Sequence, residues 1–177
     1  MHTSDQQSNS SINVKRWAEC FHALMSRSFK MKMNFADKLD NPTLKAIMMI
    51  IALDHHKIAK ALEVLFNLEP KDLDPFSPKC ESIIGRAAIE NIREALSIVE
   101  GSINLGRINR KDFERFAKAI ERLNDIAKGI MLSFTDVLSY LKDPRASVLR
   151  HLALTFEMHK EMVMSSWSYI SKTIGVE

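Results

Sequence analysis

Residues 109–141 read NRKDFERFAKAIERLNDIAKGIMLSFTDVLSYL and carry the clearest structural signal in this chain. Asn109 is suited to capping a helix, and Asp112 places an acid near the exposed amides of the first turn. Apolar residues then recur every three or four positions, which is the spacing of one helix face. At 1.5 Å per residue the predicted helix is about 50 Å long. Its apolar face consists of Phe113, Phe116, Ala117, Ile120, Leu123, Ala127, Ile130, Met131, Phe134, Leu138 and Leu141.

The same spacing recurs along the rest of the chain and predicts five long helices, near residues 14–39, 42–66, 79–104, 109–141 and 144–175. Three of them begin with a capping residue followed by proline, at Asn41-Pro42, Ser77-Pro78 and Asp143-Pro144. The first half of the second helix is apolar nearly all round, which is typical of a helix in the centre of a structure. We therefore expect an all-α, up-and-down bundle over residues 13–177, with a disordered polar tail at residues 1–12.

Size and composition limit the classes of protein that this chain can represent. Its 177 residues suit one domain, and a net charge of +3 is low for a protein that binds nucleic acid by charge alone. The most apolar run, residues 46–53, is far shorter than the roughly 20 residues that span a bilayer. Cys20 and Cys80 fall within helical segments and nothing marks the chain for secretion, so we expect two reduced thiols in a cytoplasmic protein.

Two histidines, His55 and His159, fall on apolar helix faces and are predicted to be buried. They suggest a buried pair, a pH switch or a ligand contact, or core histidines that bond to a hydroxyl or carbonyl. A metal centre in a bundle needs inward-facing acids on several helices, usually with two Glu-x-x-His motifs. Only Glu19 and His22 have that spacing. We therefore predict no metal site, no cofactor and no catalytic residues.

Basic residues form a stripe on the fourth predicted helix. Lys111, Arg115, Lys118 and Arg122 are spaced four, three and four residues apart, which places them on one narrow strip. Arg107 and Arg110 extend this strip backwards. A row of cations matches a nucleic-acid backbone, although the same strip lies opposite the apolar face, where a solvated surface is expected.

Near the start of the last helix, Arg145 and His151 are separated by five residues. This spacing resembles the Arg-x(4–6)-His motif of HEPN-type ribonucleases, which are helical bundles that cleave RNA across a dimer. The resemblance implies a metal-independent ribonuclease with these two residues as its catalytic pair. A polar residue usually follows the arginine in that family, whereas Ala146 stands here.

The absence of a catalytic signature favours a non-catalytic interaction or assembly module that binds a protein partner or a second copy of itself. The alternatives are a nucleic-acid-binding component that uses the basic stripe, and the HEPN-like ribonuclease. We expect no membrane association.

Overall fold

The computed structural model describes residues 3–69, 71–103 and 110–173, and this part of the chain is helical with no strand. Its helices are α1 (Thr3–Ala36), α2 (Pro42–Phe66), α3 (Pro78–Ile84), α4 (Arg86–Ile103), α5 (Arg110–Tyr140) and α6 (Arg145–Thr173). The all-α class is therefore confirmed. The described residues contain six helices where five were expected.

The additional helix arises at Gly85, which divides the predicted third helix into α3 and α4. Gly85 has φ 104°, a conformation that side chains with a Cβ rarely adopt and that ends a regular helix. At the other end of the chain, α1 begins at Thr3, within the segment expected to be a polar tail. Extending an existing helix adds one hydrogen bond per residue, so the packed helix that follows can be continued through residues of modest propensity.

Two of the three helix caps predicted before a proline form side-chain hydrogen bonds, and the third does not. Asn41 Oδ1 accepts hydrogen bonds from the amides of Thr43 and Leu44, at 3.0 and 3.1 Å. Asp143 Oδ1 accepts from the Arg145 amide at 3.0 Å and so caps α6. Ser77 precedes α3 but its hydroxyl makes no capping bond. The proline position alone therefore marks the start of α3.

The helices pack in a ring in which α1 contacts α2, α2 contacts α6, α6 contacts α5, α5 contacts α4 and α4 returns to α1. The short α3 packs on α1 and α4. Successive helices α1 and α2 form one hairpin, and α5 and α6 form another. Within the ring the core is aliphatic and aromatic, and its largest fully buried side chains include Phe21, Phe35, Phe116, Phe156 and Met48.

Helix α2 is not buried on all sides, contrary to what its apolar sequence suggested. Leu44, Met48 and Ile51 are in the core, but Ile50 and Leu53 are 46% and 52% exposed. The central position expected of this helix is therefore not confirmed, because part of its apolar surface faces outward.

Candidate functional site

The two histidines expected to be buried lie together inside the bundle. His55 of α2 is 2% exposed and His159 of α6 is 0% exposed, with ring centroids 5.4 Å apart. His55 Nδ1 lies 2.8 Å from the hydroxyl of Ser28, and His159 Nε2 lies 3.0 Å from Asp54 Oδ2. The two rings thus meet where α1, α2 and α6 come together.

A buried lysine completes this cluster, and it was not recognised in the sequence. Lys32 of α1 is 0% exposed, and its Nζ lies 3.2 Å from both ring nitrogens of His55. The spacing of residues along α1 indicates that Lys32 is buried, because it follows Ser28 by four residues and precedes Phe35 by three. It therefore continues the core face of α1. We call Ser28, Lys32, Asp54, His55 and His159 the buried cluster.

Burial controls the protonation of this cluster. Loss of hydration lowers the pKa of Lys32 to about 7. Burial, with smaller contributions from the charges of Lys32 and His159, holds the pKa of His55 well below its ordinary value. Burial also lowers the pKa of His159 to about 4, although the hydrogen bond to Asp54 opposes that effect. Both imidazoles are therefore neutral at pH 7.

In its neutral form His159 donates its Nε2 proton to the Asp54 carboxylate, which leaves Nδ1 as an acceptor. No described residue hydrogen-bonds to that nitrogen. Ser28 beside His55 resembles a nucleophile next to its base. However, the two side chains are only 7% and 2% exposed, so a substrate in solvent does not reach them.

The basic stripe lies on the outer side of α5, as the spacing predicted. Lys111, Arg115, Lys118 and Arg122 are all exposed. Arg122 is held by α4, because its Nη1 lies 3.0 Å from Glu94 Oε2. Arg107 lies outside the described residues, and Arg110 begins α5 with a side chain that the structure does not describe.

Arg145 and His151 have different environments. The guanidinium of Arg145 binds the Asp143 carboxylate, lies 3.4 Å from the Leu65 carbonyl oxygen, and covers the ring of Phe66 at 4.5 Å. His151 is exposed on another side of α6. Arg145 thus joins the start of α6 to the end of α2, and these contacts do not bring it to His151.

Exposed apolar side chains occur on the outer faces of α2 and α6. Leu154 and Met158 of α6 are each 54% exposed, similar to Ile50 and Leu53 of α2. We call these four residues the α2–α6 surface. The sequence predicted that the apolar surface of α2 is buried, because an apolar residue outside the core stripe has the same pattern whether a neighbouring helix covers it or solvent does.

Cys20 and Cys80 form a disulfide between α1 and α3, with Cα atoms 5.5 Å apart. Both residues are fully buried. The prediction of two reduced thiols is therefore wrong. The residues are 60 positions apart, and only the packing of α3 on α1 brings them within bonding range.

Within the described part of the chain, no group of three or more His, Cys, Asp or Glu side chains is placed to hold a metal ion. The described helices include none that combines the length and the apolar character needed to cross a membrane. Compared with known protein families, curated proteins and solved structures, the chain has no match in any of the three.

Proposed function

We propose that this chain is a non-catalytic assembly module in which a second copy packs onto the α2–α6 surface. The observation that carries this proposal is the exposure of four large apolar side chains on two neighbouring helices. Single exposed apolar residues are common, but a cluster of them on adjoining helices is typical of interaction sites.

The register of the two helices brings Leu53 and Met158 to the same level of the bundle. Asp54 of α2 hydrogen-bonds to His159 of α6, while Arg145 at the start of α6 covers Phe66 at the end of α2. The helices are therefore antiparallel. Leu53 and Met158 each precede one member of the Asp54–His159 pair, and a 100° turn per residue directs both side chains outward at the same height.

Charge at the two ends of this surface favours a second copy as the occupant. Lys57, whose side chain is 75% exposed and 3.8 Å from Asp54, follows Asp54 by three residues, and the exposed Glu161 follows His159 by two. Because the helices are antiparallel, these two residues lie in opposite directions from the centre of the surface. A two-fold axis through the centre brings each Lys57 to the end that carries Glu161 of the other copy. The same rotation brings Ile50 of one copy towards Leu154 of the other.

Size-exclusion chromatography with light scattering tests this proposal. We expect a dimer for the wild type and a monomer for Leu53→Lys and Met158→Lys. Val137→Lys is the matched control, because Val137 is 51% exposed but lies on α5. Lys57→Glu should weaken the dimer, and adding Glu161→Lys should restore it. A wild type that remains monomeric at high concentration, or equal disruption by Val137→Lys, would overturn the proposal.

A second candidate function is binding to a nucleic-acid backbone through the basic stripe. Three residues of the stripe are exposed, and none of them forms an ion pair with a described residue: Lys111, Arg115 and Lys118. Cations that are free to meet phosphates release counterions from the nucleic acid on binding.

The test is binding of a fluorescent RNA and a DNA duplex across a salt series. We expect affinity to fall steeply with salt, and Arg115→Glu with Lys118→Glu to flatten that dependence. Lys30→Glu with Lys38→Glu, two exposed lysines of the α1 region, is the control for net charge. No binding at about 50 mM salt would end this idea.

A further inference from the structure

We propose that the contact of α6 with the α1–α2 hairpin is a proton-operated switch, in which proton uptake by the buried cluster loosens α6 from that hairpin. This proposal does not depend on self-association. It concerns an equilibrium within one chain between a closed bundle and a form in which α6 has separated.

The geometry supports this because the cluster is divided between the two hairpins. Ser28 and Lys32 come from α1, and Asp54 and His55 come from α2. Only His159 comes from α6, where the nearby Phe156 and His55 form a T-shaped ring contact with centroids 5.7 Å apart. Lys32 and Ser28 contact His55 within one hairpin, whereas His159 and Phe156 connect the cluster to the other hairpin.

The cluster contains three basic groups and one acid. From α1 it receives the Lys32 amine, and from α2 the His55 ring and the Asp54 carboxylate. Lys57 lies 3.8 Å from that carboxylate. From α6 it receives only the His159 ring, because the neighbouring Lys160 turns to Glu121 and Asp125 of α5 at 3.0 and 3.5 Å. The single acid is hydrogen-bonded to His159, so no described carboxylate contacts the Lys32 amine.

Adding a proton to Lys32 therefore places an unpaired ammonium group in the core beside two imidazoles. A buried charge without a counterion is strongly unfavourable, and opening to water relieves it. The pKa of the closed form is lowered to about 7, whereas a hydrated lysine has a pKa near 10.4. The open form consequently binds the proton more tightly, and acidification shifts the equilibrium towards opening.

The size of the effect follows from the two pKa values. Between pH 8.5 and pH 6 the opening equilibrium constant should rise roughly 30-fold if Lys32 is the only group that titrates. Protonation of His55 and His159 at lower pH acts in the same direction.

Hydrogen exchange of the α6 amides, corrected for the intrinsic pH dependence of exchange, measures the opening equilibrium. We expect wild-type α6 to lose protection between pH 8.5 and pH 6, and Lys32→Met to lose clearly less, since only His55 and His159 then remain to take up protons. Lys30→Met is the matched control, since Lys30 is an exposed lysine two residues away on α1, and it should behave as the wild type.

A second measurement keeps the proposal testable if Lys32→Met does not fold. Carbon NMR of the lysine side chains in the wild type reports the titration of the Lys32 amine directly. A titration at the ordinary lysine pKa would overturn the proposal, as would identical pH dependence of α6 protection in the wild type and Lys32→Met. Loss of protection spread evenly over all helices would also overturn it, because the switch acts on α6.

Discussion

Trp17 of α1 stacks on Phe134 of α5 with ring centroids 3.6 Å apart and planes within 7° of parallel. Eighteen residues away on each helix, Phe35 stacks on Phe116 at 3.7 Å. Eighteen residues are five complete helical turns, so both contacts lie on the same faces of two antiparallel helices. These two contacts join the α1–α2 hairpin to the α5–α6 hairpin across the centre of the bundle.

We predict that Phe35→Ala lowers the free energy of unfolding by about 3–5 kcal/mol, because it leaves a cavity against Phe116. Phe29→Ala, at a half-buried position of the same helix, should cost clearly less. Chemical denaturation of both variants provides the measurement. Equal losses of unfolding free energy in the two variants would show that the contact of Phe35 with Phe116 stabilises the protein no more than the half-buried Phe29 does.

The disulfide between Cys20 and Cys80 closes a loop of about 60 residues. Cross-linking a loop of this length stabilises a protein by about 4 kcal/mol in the chain-entropy model. We therefore expect a reductant, or Cys20→Ser with Cys80→Ser, to lower the unfolding free energy by roughly this amount.

The oxidation state itself is tested by alkylation of the unfolded protein without reductant, followed by mass measurement. We expect no label to be incorporated. Disulfides of this kind persist in oxidising compartments, so this result would argue against the cytoplasmic location expected from the sequence. Two alkylated thiols would instead favour that location.

His159 should make stability depend on pH below neutrality. Its pKa is lowered to about 4 in the folded protein, so the unfolded chain binds the proton more tightly between pH 6.5 and pH 4. The unfolding free energy therefore falls as pH decreases through this window, by about 3 kcal/mol if the shift is fully expressed.

His159→Gln retains a donor for Asp54 without a titrating ring, and it should reduce this slope. His151→Gln removes an exposed histidine of the same helix and is the control. Unfolding by denaturant at half-unit pH intervals measures the slopes. Parallel curves for the wild type and His159→Gln would contradict the prediction.

Asn124 of α5 is 1% exposed, and neither its side-chain oxygen nor its nitrogen has a hydrogen-bond partner among the described residues. A buried amide without partners is unfavourable, so Asn124→Leu should raise the unfolding free energy by about 1–2 kcal/mol. Asn34→Leu, at an exposed position of α1, should change it by less than about 0.5 kcal/mol. Destabilisation by Asn124→Leu would indicate that the amide binds a group that the leucine displaces, such as an internal water.

The helices and their faces were largely predictable because they depend on local chemistry. The 3–4 spacing identified most of the core residues of α5, although Leu141 of the predicted face is 45% exposed. Asn41 and Asp143 cap helices as their side chains suggested. The burial of His55 and His159 followed from the same spacing. Periodicity records which side of a helix is apolar, and that property is contained in each segment.

Tertiary packing alone decided which faces met and which remained exposed. It placed Lys32 beside His55, joined Cys20 to Cys80, and left Leu53 and Met158 in solvent although their helices are apolar on more than one side. Gly85 interrupted a continuous pattern because glycine alone readily adopts its backbone conformation there. A sequence specifies the environment of a residue along its own helix, whereas pairing, burial and proton affinity depend on the distance to groups that are remote in the chain.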